Sequence, residues 1–156
     1  MPELLPIPFH PQKADGYCLA ACAQMVLDFW AIPLEQEQIA NQLSVIPGVG
    51  APAGRISRFS SDQMSVIYQT GEWETIPTWL DRRVPVIAMV QAGELPHWQG
   101  EAFQHAVVVV GYDSAVVWIL DPTAQPMPIR VSIDEFMLAW GEVDFRFAVL
   151  LPDSRE

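Results

Sequence analysis

The chain reads as an α+β fold, on three observations. A helix-forming run near the N-terminus carries both cysteines of the chain, β-branched segments come late, and helical patterns precede strands that read as mainly antiparallel. With 156 residues and 51% hydrophobic content, one domain over 1–156 can bury a full core. Within it, residues 1–11 read as an extended arm and 152–156 as a tail.

The arm, MPELLPIPFH, lacks a positively charged start and its apolar run is broken by prolines, so it reads as an extended arm and not as a signal peptide. Residues 18–30, CLAACAQMVLDFW, contain no Pro or Gly and repeat apolar side chains at 18, 22, 25, 26 and 29, which is helical spacing. A second helix is expected over 34–43, with Pro33 near its start and Glu35 and Glu37 in its first turn. Residues 44–61 begin rich in Gly and Pro, a loop that either borders a cleft or only connects. It leads to a short helical segment around 55–68.

A helix over 74–82 and a strand over 84–90 come next. The connection 91–104 holds His97 and Trp98, which either line a cleft close to His105 or belong to a surface loop anchored by a packed Trp. HAVVVVGY (105–112) and VVWILD (116–121) read as a hairpin stopped by Pro122. Strands near 129–131 and 145–151 flank a helix that starts around Ser132, where Ser132 and Glu135 make a capping box.

Eight Lys and Arg against 19 Asp and Glu give a net charge of −11, which disfavours nucleic acid because phosphate contacts need cations. No apolar span approaches the ~20 residues of a membrane helix, so no membrane insertion is expected. Cys18 and Cys22, one helical turn apart, are poorly placed to bridge each other. A reduced thiol in the cytoplasm is the simpler reading. Zinc would want about four ligands, and beyond the two thiols the histidines are His10, His97 and His105, at no recognised spacing. No metal and no cofactor is expected, and Cys22 reads as core.

The chemistry converges on a nucleophile, a base and an orienter. Cys18 opens its helix, where unpaired N–H groups and the dipole stabilise a negative sulfur. If the hairpin turns about residue 113, His105 and Asp121 face each other across the ladder, because 113 − 8 = 105 and 113 + 8 = 121. A three- or five-residue loop gives this register and a two-residue loop does not. A carboxylate on one ring nitrogen leaves the other for the sulfur. Taken singly, the alternatives are a buried structural Cys, a structural His at the start of a strand, and an Asp that merely ends one.

The stretches PQKADGYCLAACAQMVLDFW, RRVPVIAMV, HAVVVVGYD, VWILDP and SIDEFMLAW resemble the papain-like bacteriocin-processing peptidases, cysteine-peptidase family 39, and their stand-alone relatives. The resemblance runs from about Pro8 to Leu151 and is tightest around Cys18 and His105. It implies a papain-like fold, with the nucleophile on a helix packed against a sheet that carries the base. It also implies Cys18 as nucleophile, His105 and Asp121 as its partners, and Gln12, six residues before Cys18, as a donor to the oxyanion hole. A side-chain amide suits that role because it donates without titrating. Where the family commonly has Gly after the nucleophile, this chain has Leu19, which narrows the cleft if it faces it and is neutral if it points into the core.

The leading expectation is therefore a cysteine peptidase acting on a peptide or protein substrate after small residues. Transglutaminase-like or deamidating acyl transfer uses the same Cys, His, Asp order. A non-catalytic leader-binding module is the alternative from another class, although this chain retains Cys, His and Asp together.

Overall fold

The computed structural model describes residues 2–98 and 103–153. Met1 of the arm, residues 99–102 of the 91–104 connection and residues 154–156 of the expected tail lie outside them. The arm has no regular secondary structure but is docked, with Leu5 buried. Helix α1 (Cys18–Phe29) departs from the expected stripe, since every residue from Leu19 to Leu27 is buried. Small side chains at Ala20, Ala21 and Ala23 let neighbours close in all round it. In α2 (Gln36–Leu43), the cap residue Glu35 donates its N–H to Gln38 Oε1 at 3.0 Å.

The helix expected around 55–68 is corrected. A 3-10 turn (Ala53–Phe59) gives way to strand β1 (Met64–Thr70), whose Val66, Ile67, Tyr68 and Thr70 suit a pleated, half-buried edge better than a helix. Next come α3 (Thr75–Asp81), β2 (Val86–Gln91), two 3-10 turns (Ala92–Glu94 and Pro96–Trp98), β3 (Gln104–Tyr112) and β4 (Val116–Leu120). Then follow β5 (Ile129–Ser132), α4 (Ile133–Gly141) and β6 (Arg146–Pro152). The capping box forms as expected, with Ser132 Oγ accepting from Glu135 N at 3.1 Å. Pro152 pairs with Met64, so β6 runs into what was expected to be tail.

Among the described residues six strands form one sheet in the order β1-β6-β2-β3-β4-β5, every neighbouring pair antiparallel. Helices α1 and α2 precede the sheet while α3 and α4 lie between its strands in sequence, and helices packed on a wholly antiparallel sheet make the fold α+β. Burial is continuous along β4 and nearly so along β2 and β3, as in a sheet covered on both faces. Helix α1 packs on β3, α3 on β2 and β3, and α4 on β2, β4 and β5. Trp140, Phe136, Phe147 and Met25 lie in one contiguous core cluster, each such side chain contributing about 1.5–3 kcal/mol. No helix among the described residues is long and apolar enough to cross a membrane.

The hairpin that carries His105 corrects the expected register. The chain turns tightly, with Asp113 N–H donating to Val116 O at 2.9 Å and Tyr112 paired with Val117. Continued unbroken, that pairing would put residues 105 and 121 on opposite faces. A β-bulge between Val109 and Gly111 shifts the ladder by one residue, so that Val108 pairs with Leu120. Continuing from there, Val107 lies opposite Asp121, and His105 is its diagonal neighbour on the same face. The arm holds the bulge: Leu5 N–H donates to Val110 O at 2.9 Å, and any Cβ on Gly111 would collide with the Leu4 side chain.

Candidate active site

Each predicted residue reaches the site from a different element. The turn before α1 uses Gly16 at φ +86°, where a Cβ would sit 2.8 Å from Gly50 N, so only glycine lets this turn and the 46–50 loop close together. Cys18 then opens α1, whose N-cap residue Tyr17 makes no side-chain capping bond. Gln12 precedes the turn, its backbone N–H donating to Pro122 O at 2.9 Å. His105 comes from the start of β3, and Asp121 follows the end of β4. Cys18, His105 and Gln12 line one cleft of about 1000 Å³, bordered by Val49 and Gly50 of the 46–50 loop.

Asp121 is wholly buried, and its charge is met by donors on both oxygens. Oδ1 takes His105 Nε2 at 2.8 Å, Thr123 N at 2.9 Å and Thr123 Oγ1 at 2.7 Å. Oδ2 takes His97 Nε2 at 2.7 Å and Trp98 Nε1 at 3.0 Å. Burial alone would raise this carboxyl, but the bonds from His105 and His97 and the charge of His105 hold it well below the usual carboxylate range.

His105 is 5% exposed, and edge-to-face contacts with Trp98 (centroids 5.7 Å apart) and Phe103 (5.4 Å) box its ring. Because Nε2 serves Asp121, Nδ1 is the ring nitrogen left for other partners, and Cys18 lines the same cleft as the imidazole. Burial pushes the imidazole pKa down, yet the hydrogen bonds to Asp121 and Cys18 and their charges outweigh it and raise it to about 9. The balance therefore favours the protonated form of the ring.

Cys22, one turn on, is fully buried, and its thiol is raised well above the ordinary value by burial, then by Cys18 and Asp121. Both cysteines are free thiols, Cys18 being half-buried. Leu19 is 5% exposed, belongs to the core and also lines the cleft beside Cys18.

The sequence model of the Peptidase_C39 like family matches residues 4–145, a span that holds all of these residues. The chain belongs to that family. Solved structures with the same fold include a candidate C39-like peptidase from Bacillus anthracis, 17% identical, with a TM-score of 0.77 over 99% of this chain and 100% of that one. A double glycine motif protease from an AMS/PCAT transporter, solved in complex with the leader peptide, is 17% identical with a TM-score of 0.72 over 97% of each chain. The peptidase domain of Streptococcus ComA, a bifunctional ABC transporter involved in quorum sensing, is 16% identical. Its TM-score is 0.71 over 96% of this chain and 99% of that one. No curated protein matches the sequence.

Sequence reasoning left open whether the 91–104 segment of this Peptidase_C39 like chain reaches the cleft. His97 and Trp98 do reach the site, by bonding the free oxygen of Asp121. The adjacent His-Trp pair ahead of the His105 strand was the available signal, but its partner lies 23–24 residues away. Thr123, two residues after Asp121, carried no signal at all. His10 lies apart from the site, bonding Asp28 at 2.8 Å.

Proposed function

We propose that this chain is a thiol-dependent peptidase in which Cys18 is the nucleophile, His105 the acid and base, and Asp121 the residue that orients the imidazole. Gln12 and the Cys18 backbone N–H are the oxyanion donors. The observation that carries the reading is His105 itself: buried, bonded to Asp121 at 2.8 Å through one nitrogen, and lining the same cleft as Cys18. A protonated ring there stabilises the thiolate that attacks.

Cys18 Sγ adds to the scissile carbonyl, and the oxyanion forms against its two donors. The C–N bond breaks as the leaving amine takes the proton from His105, leaving a thioester. Water then attacks that ester, giving its proton to His105, and the acid is released as the thiolate leaves, which restores the starting pair of thiolate and protonated imidazole. Asp121 keeps its charge throughout and holds the ring.

The substrate is a peptide or protein cut after small residues, which membership of the Peptidase_C39 like family supports, as does the leader peptide bound to the similar double glycine motif protease. The net charge of −11 favours the approach of basic or neutral peptides, an advantage that salt erodes.

Peptides ending in Gly-Gly or Gly-Ala before an aminomethylcoumarin test the reading. Release of the fluorophore is expected, together with covalent labelling of Cys18 by a thiol-directed acyl probe. Release that survives Cys18→Ala would overturn the assignment. Product analysis with an added amine separates hydrolysis from acyl transfer.

A further inference from the structure

Gln36 is a fully buried polar residue at the start of α2, outside the cleft. Its amide grips the chain on both sides of Gln12. Oε1 accepts from Lys13 N at 2.8 Å, and Nε2 donates to Pro11 O at 3.0 Å. These two groups belong to the two peptide units that flank Gln12, so one side chain imitates a strand paired with that single residue.

The grip is backed in turn. Gln36 Nε2 also donates to Gln24 Oε1 at 2.9 Å, and Gln24 Nε2 donates to Leu34 O at 3.2 Å. Gln24 lies on α1, the helix that Cys18 opens, so this amide relay ties the segment before the turn to that helix. From the other side, the Gln12 N–H is held by Pro122, the neighbour of Asp121. Apolar side chains fill the core around Gln36. An apolar residue would fill its place as well if packing were all it did, whereas a fork with one acceptor and one donor suits a backbone that needs both.

We infer that Gln36 is a positioning residue that holds Gln12 where its amide meets the oxyanion. This rests on the role proposed for Gln12. A positioning role separates from a merely structural one because two reactions of Cys18 differ in what they need. Cleavage of an amide passes through an oxyanion; alkylation by iodoacetamide, a displacement at carbon, does not.

The experiment compares wild type, Gln12→Ala, Gln36→Leu and the double variant, measuring kcat on the Gly-Gly coumarin peptide and the rate of Cys18 alkylation. Gln12→Ala is expected to lower kcat about 100- to 1000-fold, the usual loss for one oxyanion donor. Gln36→Leu should lower it about 10- to 100-fold, as a misplaced group does, while alkylation stays within about twofold. The double variant should be no slower than Gln12→Ala, because a lost donor needs no positioning. Gln36→Met, unbranched and close in shape, is read the same way if Gln36→Leu folds poorly.

Wild-type kcat in the Gln36 variants, losses that multiply with Gln12→Ala, or alkylation falling in step with kcat would each overturn the inference. If Gln12→Ala is slow and Gln36→Leu is not, only the positioning role falls. If Gln12→Ala itself keeps full kcat, the oxyanion role falls and the positioning role with it.

Discussion

The two walls of the cleft are built in different ways. On the sheet wall, Asp121 is wholly buried with donors on both oxygens, and His105 is locked between that carboxylate and two aromatic rings. On the helix wall, Cys18 is half-buried at an uncapped helix start, and Gln12 is held through its backbone. Groups that keep charge in the interior are over-determined, since an unpaired buried charge is costly. Cys18, the group proposed to meet a substrate, stays accessible.

Removing the centre of either wall gives the largest effect. Cys18→Ala should lower kcat by about 10⁴-fold or more and His105→Ala nearly as much, with circular dichroism of Cys18→Ala matching wild type. A fully active His105→Ala enzyme would move the base elsewhere and break the distinction between the walls.

Asp121→Asn tests the orienter alone. It keeps a polar partner but loses the charge that favours a protonated His105, so a loss of about 10⁴-fold in kcat is expected, less complete than for Cys18→Ala. Thermal melts should show a lower Tm as well, because donors from five bonds lose their anionic acceptor.

Within the helix wall the two thiols provide an internal control. Iodoacetamide at mildly acid pH should label Cys18 about 100-fold faster than Cys22, whose fully buried thiol is held protonated. Peptide mass spectrometry reads this directly, and equal labelling would remove the contrast.

The sheet wall also makes a pH prediction. His105 rises from 6.5 to about 9 on folding, so its stabilisation is fully present below pH 6.5 and is lost as pH climbs through 9. The difference in unfolding free energy between wild type and His105→Ala should therefore shrink by roughly 3 kcal/mol between pH 6 and pH 10. Urea melts across that range check it; a constant difference would mean the imidazole gains no proton affinity in the fold.

The smallest effect sharpens the picture. His97→Ala removes one donor from Asp121 Oδ2 and leaves Trp98 in place, so kcat should fall only about tenfold with KM unchanged. A loss as large as that of Asp121→Asn would make His97 more than a support for the carboxylate.

Much of the fold was legible because its signals are local. The helix that begins at Cys18, the β2 and β3 strands and the Ser132–Glu135 capping box follow from periodicity and caps. The helix expected around 55–68 gives way to a strand over 64–70 because the pairing with β6 that holds it lies more than 70 residues away, where no local pattern reports it. His105 and Asp121 were brought together by a symmetric turn that the chain does not form.

The sequence by itself determined which residues are candidates for the proposed chemistry and which elements carry them: a thiol opening a helix, an imidazole on a strand, a carboxylate after the next strand. Only the tertiary structure decided that these groups meet. A tight hairpin alone would have set His105 and Asp121 on opposite faces, and the bulge that restores their common face is held by Leu4 and Leu5, about 100 residues earlier. The same is true of His97 and Trp98 on Asp121, and of Gln36 around Gln12. Periodicity reports which face of an element is apolar; it carries no record of which distant backbone group will satisfy a given donor, because that pairing exists only once the chain has closed on itself.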